Sequence, residues 1–76
     1  MARNKALLLA PDDPSIGERY ERILLKHNGI TEVEWCSDRQ KLLDRFKDDP
    51  TVGAVCIGGH IMDWFAAKEA HRAGAL

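Results

Sequence analysis

Val52-Gly53-Ala54-Val55-Cys56-Ile57-Gly58-Gly59-His60 is the stretch whose reading decides the fold. Val52 to Ile57 is apolar except for the permissive Gly53, and the run stops at a glycine pair. A short apolar run bounded by turn residues predicts a strand that gives side chains to both faces of a sheet. Working upstream, Ser37 and Gln40 have capping-box spacing and open a helix that runs to about Lys47, with Leu42, Leu43 and Phe46 as its buried stripe. Asp48-Asp49-Pro50 ends that helix. Before it, Thr31 to Cys36 sets Glu32 and Glu34 against Val33 and Trp35, the alternation of a strand with one wet face at a sheet edge.

Further upstream, Ser15 and Glu18 repeat the capping-box spacing; alternatively Asp13 caps and Pro14 takes the first helical position. Ile16, Tyr20, Ile23, Leu24 and His27 then form one stripe, and Asn28-Gly29 supplies the stop. Lys5 to Ala10 is a second buried strand, closed by Pro11-Asp12-Asp13-Pro14. Downstream of the glycine pair, an alanine-rich helix is expected from about Met62 to Ala73, with Asp63 as a possible cap and Trp64 and Phe65 at its start. Strands alternating with helices predict an α/β fold: three consecutive βα units in three layers, with a parallel sheet of order 2-1-3. The most apolar strand then forms an edge, an aggregation hazard unless another chain or more of the same domain covers it.

The whole chain, 76 residues, reads as one small domain with one modest core, and as the first part of a longer domain if further strand-helix units follow. The apolar fraction of 45% and charged fraction of 30% are those of a folded chain. A net charge of -1, with basic residues interleaved among acids, gives no general attraction to nucleic acid or anionic lipid. No apolar run approaches the roughly 20 residues that span a bilayer. The basic start from Met1 to Lys5 lacks the long apolar region of an export signal, so the sequence reads as cytoplasmic. Cys36 and Cys56 form no CxxC pair and read as buried free thiols.

The order of apolar strand, Asp12-Asp13, a helix carrying Arg19, Ile23 and Leu24, His27-Asn28-Gly29, and a second helix begun by Ser37-Asp38 with Leu42, Leu43 and Phe46 resembles the receiver domain of two-component response regulators. The resemblance implies the first three of five units, a flavodoxin-like fold, and a role in signal transduction. It departs at the end of the third strand, where receivers carry a phosphorylated aspartate and this chain has Gly58. The later Ser/Thr and Lys of the family are absent. The implied role is therefore a non-catalytic interaction or regulatory module.

In open parallel sheets ligands bind beyond the carboxyl ends of the strands. Order 2-1-3 places Asp12, Asp13, Gly58, Gly59 and His60 there as candidate ligand-binding residues. Two adjacent carboxylates suit Mg²⁺, but no third oxygen ligand is evident, and a turn plus a helix cap explains the pair. No other metal or cofactor is indicated. The glycine pair with His60 can expose backbone N–H groups to a small anion or nucleotide phosphate, which makes such binding the alternative function. A simple tight loop explains it equally. A third reading is a structural fragment of a larger α/β protein. No Ser-His-Asp or Cys-His set falls on recognisable elements, so binding is favoured over catalysis. The apolar edge predicts a protein partner or a homodimer through strand 3, with Val52, Val55, Ile57, Trp64 and Phe65 at the interface.

Overall fold

The computed structural model describes residues 2–27 and 29–76; Met1, the first residue of the basic start, and Asn28, half of the expected helix stop, lie outside the described residues. In chain order the elements are β1 (Lys5–Leu9), α1 (Pro14–Leu25), β2 (Glu32–Cys36), α2 (Arg39–Asp48), β3 (Val52–Ile57), β4 (His60–Asp63) and α3 (Trp64–Arg72). They form one sheet of order β2-β1-β3-β4. β1 pairs in parallel with β2 and β3, so that Leu8 stands between Trp35 and Cys56.

β4 corrects the expected fold. Gly58 and Gly59 have φ of 59° and 84°, the doubly positive conformation of a tight two-residue hairpin turn. The chain turns back at once, and Ile57, Cys56, Val55 and Ala54 pair antiparallel with His60, Ile61, Met62 and Asp63. The sheet is therefore mixed and four-stranded, not the all-parallel three-stranded sheet of a flavodoxin-like or receiver-like chain. The receiver resemblance fails on this topology. β3 is not an edge, because β1 and β4 occupy its two sides. Val52 and Val55 are fully buried in the chain's own core and Ile57 packs against it, so strand 3 offers no edge for a homodimer.

Local chemistry explains the helix starts. Asp13 caps α1 by accepting from the Ser15 N–H at 3.0 Å, and Pro14 takes the first turn, where a missing N–H costs nothing. Asp38, not Ser37, caps α2 through the Lys41 N–H at 2.8 Å. Asp63 caps α3 through the Ala66 N–H at 2.7 Å, so α3 begins at Trp64 rather than Met62. The stripe expected on α1 also needs correction. Gly17 and Leu24 are its buried residues, while Ile16 and Ile23 are exposed. Gly17 is buried because the Trp35 ring lies against it; a Cβ there would stand 2.5 Å from that ring.

Two apolar clusters hold the layers together. On one face Leu7, Val52 and Val55 meet Leu42 and Phe46 of α2, Ala67 of α3, and Leu76. On the other Ala6, Leu8, Ala54 and Cys56 meet Leu24 of α1, with Ile30, Tyr20 and Ile61 around them. Fully burying each leucine contributes about 1.5–3 kcal/mol. Both thiols are free and buried, and burial pushes their pKa values up. Among the described residues no helix is long and apolar enough to cross a membrane.

The hairpin also decides where α3 begins. β4 carries the chain back to the end of the sheet where the parallel strands start, because Asp63 pairs with Ala54 near the beginning of β3. β3 carries an extra residue there: Lys5 pairs with Val52 and Ala6 with Ala54, leaving Gly53 between. A Cβ on Gly53 would collide with the Arg3 carbonyl oxygen, so glycine lets the segment before β1 lie against β3. Arg3, Gly53 and Trp64 are thereby gathered at one end.

Candidate binding surface

The residues singled out at the carboxyl ends of the strands do not form one site. Gly58 and Gly59 are the hairpin turn, and a Cβ on Gly59 would meet the Tyr20 hydroxyl at 3.0 Å. Asp13 is spent on the cap of α1, where its bonds from the Ser15 hydroxyl and N–H lower its carboxyl pKa. Asp12 is exposed beside it. His60 lines a separate cleft of about 360 Å³ with Arg39, Ile57, Met62 and Leu76. Among the described residues no group of three or more His, Cys, Asp or Glu side chains is placed to hold a metal ion.

The amino end of the sheet is different. Phe65 is 72% exposed, the most exposed of the large apolar side chains described. Its ring meets Trp64 edge-on, with centroids 5.0 Å apart. Trp64 is itself half-buried under two cations: the Arg3 guanidinium carbon lies 3.9 Å from its ring centroid and the Lys68 ammonium 4.8 Å. The guanidinium is held in place by donating to the Pro50 and Val52 carbonyls at 3.1 and 3.2 Å. Trp64 separates two open clefts of about 420 Å³ each. One runs along Lys47, Asp48 and Lys68; the other runs along Gly53, His27, Asp63 and Phe65.

A four-charge cluster of balanced sign borders this end. Lys5 contacts Glu34 at 2.9 Å and Asp49 at 3.1 Å, while Arg45 contacts Glu34 at 2.7 Å and Asp49 at 3.5 Å. Bonds from the Thr51 hydroxyl and N–H, then from Lys5, hold the Asp49 carboxyl down to about 2. Arg45, then Lys5, lowers the pKa of Glu34, and the bond to Glu34 leads those that raise Lys5. Asp49 is thus committed to Lys5, Arg45 and Thr51, and Asp63 to the cap of α3. Among the described residues, no ion pair joins Arg3, Lys47 or Lys68 to a carboxylate.

No protein-family model, curated protein or solved structure matches this chain. The receiver-like regulatory module, and signal transduction with it, therefore falls with the topology that contradicts it; what stands is a small α/β domain with a mixed sheet. Of the residues the sequence singles out, Trp64 and Phe65 lie together on this surface, whereas Val52, Val55 and Ile57 belong to the interior. Arg3 reaches Trp64 only through the hairpin and the Gly53 irregularity, which no local pattern displays, whereas Lys68 stands four residues after Trp64 on α3, a helical spacing the sequence does show.

Proposed function

We propose that this domain binds another protein chain through the surface formed by Trp64, Phe65, Arg3 and Lys68. One observation carries the reading: a large aromatic side chain stands 72% exposed beside a second aromatic that two cations hold in place. Tryptophan, aromatic side chains in general, and arginine are over-represented in protein interfaces, and the first and last dominate their energetics. A preformed anchor of this kind gives up little conformational entropy on binding.

Selection from a random-peptide display library tests the proposal. Peptides enriched on the wild-type domain should lose at least about tenfold in affinity for Phe65→Ala, the loss expected of an interface anchor. Circular dichroism should show the variant folded, since Phe65 is exposed. Enrichment of no sequence, or peptides that bind Phe65→Ala equally well, would refute the reading.

A further inference from the structure

We infer that the partner of this surface is an acidic segment carrying an apolar anchor; this rests on the docking surface proposed above and adds its chemistry. The argument is charge complementarity. Three cations, Arg3, Lys47 and Lys68, line the two clefts beside Trp64, and no ion pair joins any of them to a carboxylate among the described residues. Against them stand Asp48 and the exposed Asp63, whose charge the amino end of α3 partly offsets, while Asp49 is neutralised within its four-charge cluster; the clefts keep one positive charge in excess.

Geometry adds a direction. The Arg3 guanidinium has one face on Trp64 and one nitrogen committed to backbone carbonyls, so its remaining N–H groups are available to a carboxylate of a partner. Lys68 covers the same ring. The exposed Phe65 ring lies on the flank of Trp64 that faces His27 and Gly53. An extended chain lying across Trp64 places an apolar side chain on Phe65 and acidic side chains on Arg3 and Lys68. A single-stranded nucleic acid also combines anionic groups with flat rings. The chain's net charge of -1 and its interleaved acids disfavour it.

Fluorescence anisotropy with four labelled probes on the intact chain decides. The first is a short peptide of Glu and Asp around a central Leu-Phe pair. The second replaces its acids with Lys, the third replaces its Leu-Phe pair with Ala, and the fourth is an oligothymidylate. The first peptide should bind at least about tenfold more tightly than each of the others, a gap of about 1.4 kcal/mol. Lys68→Glu should cancel most of that preference, and raised salt should weaken binding, because exposed charges are screened. Lys68→Gln provides a second variant with no introduced charge and should give an intermediate loss. Equal binding of the lysine peptide, with dependence on Phe65 retained, would overturn the acidic partner and leave the docking surface standing. Tighter binding of the oligothymidylate would overturn it in favour of nucleic acid. Failure of every probe overturns the acidic segment, and the library selection then decides separately whether the surface binds protein at all.

Discussion

Gly17→Ala sets two opposed effects against each other, and the structure says which wins. Alanine is favoured over glycine in a helix interior by about 1 kcal/mol, so on propensity alone the variant should be more stable. The new Cβ, however, would lie 2.5 and 2.7 Å from two ring carbons of Trp35 and 3.2 Å from the Pro11 ring. The Trp35 ring must withdraw by about 1 Å to restore an ordinary carbon-carbon contact. Its indole N–H donates to Glu21 at 2.6 Å, which ties it to the same helix. Overpacking of this kind costs about 1–3 kcal/mol, and loosening the indole bond adds about 0.5–1.5 kcal/mol. The net expectation is a loss of about 0.5–3.5 kcal/mol, at about 4–8 °C of Tm per kcal/mol for a domain of this size. Urea and thermal denaturation followed by circular dichroism measure it. In a Trp35→Leu background the obstacle is gone, and Gly17→Ala should stabilise by up to about 1 kcal/mol. The same change in both backgrounds, or a more stable variant in the native one, would refute the packing of α1 on β2 described here.

Three further expectations concern titration and thiols. The Asp49 carboxyl is lowered to about 2, from about 3.9 in an unfolded chain, so its contribution to stability is whole above pH 4 and is lost as pH falls from about 4 to 2. Urea midpoints should fall across that window and fall less steeply in Asp49→Asn; equal slopes would remove Asp49 from the account. Lys5 is shifted the other way, so its contribution is present below its ordinary value and fades above it, and the midpoint should also drop at strongly alkaline pH. Cys36 and Cys56 are 3% and 0% exposed with raised pKa values, so a chromogenic disulfide reagent should label them only on unfolding; prompt labelling of the native chain would contradict their burial.

Much of the secondary structure is legible from apolar runs and their punctuation, and the limits of that reading are physical. β1, β2 and β3 are bounded by turn residues that local sequence displays. β4 is hard to see in the sequence because it is four residues long and leads directly into an alanine-rich helix, so its apolar pair, Ile61 and Met62, reads as the first turn of that helix. The signal lay in Gly58-Gly59, two residues between two apolar segments, which is the length of a tight hairpin loop. On α1 the periodicity put Ile16 and Ile23 inside, yet the close approach of Trp35 reserves that contact for Gly17. Periodicity weighs side chains and takes no account of a residue buried for having none. The aromatic pair is visible as an interface candidate, and Lys68 follows Trp64 at helical spacing, but Arg3 comes from a segment that meets the pair only after folding.

The hairpin has a consequence for how the sheet assembles. β1 must close long loops with both parallel partners: Leu9 pairs with Cys36, and Leu8 with Cys56. Ile57 reaches His60 across two residues. Chain-closure entropy grows as about (3/2)RT ln n, so the β1–β3 closure is costlier than the hairpin by about 3 kcal/mol before any contact is made. The β3–β4 pair is the one piece of the sheet whose strands find each other locally. An order of assembly in which this hairpin forms first costs the least closure entropy, and in that order β1 would dock onto a strand whose register is already set.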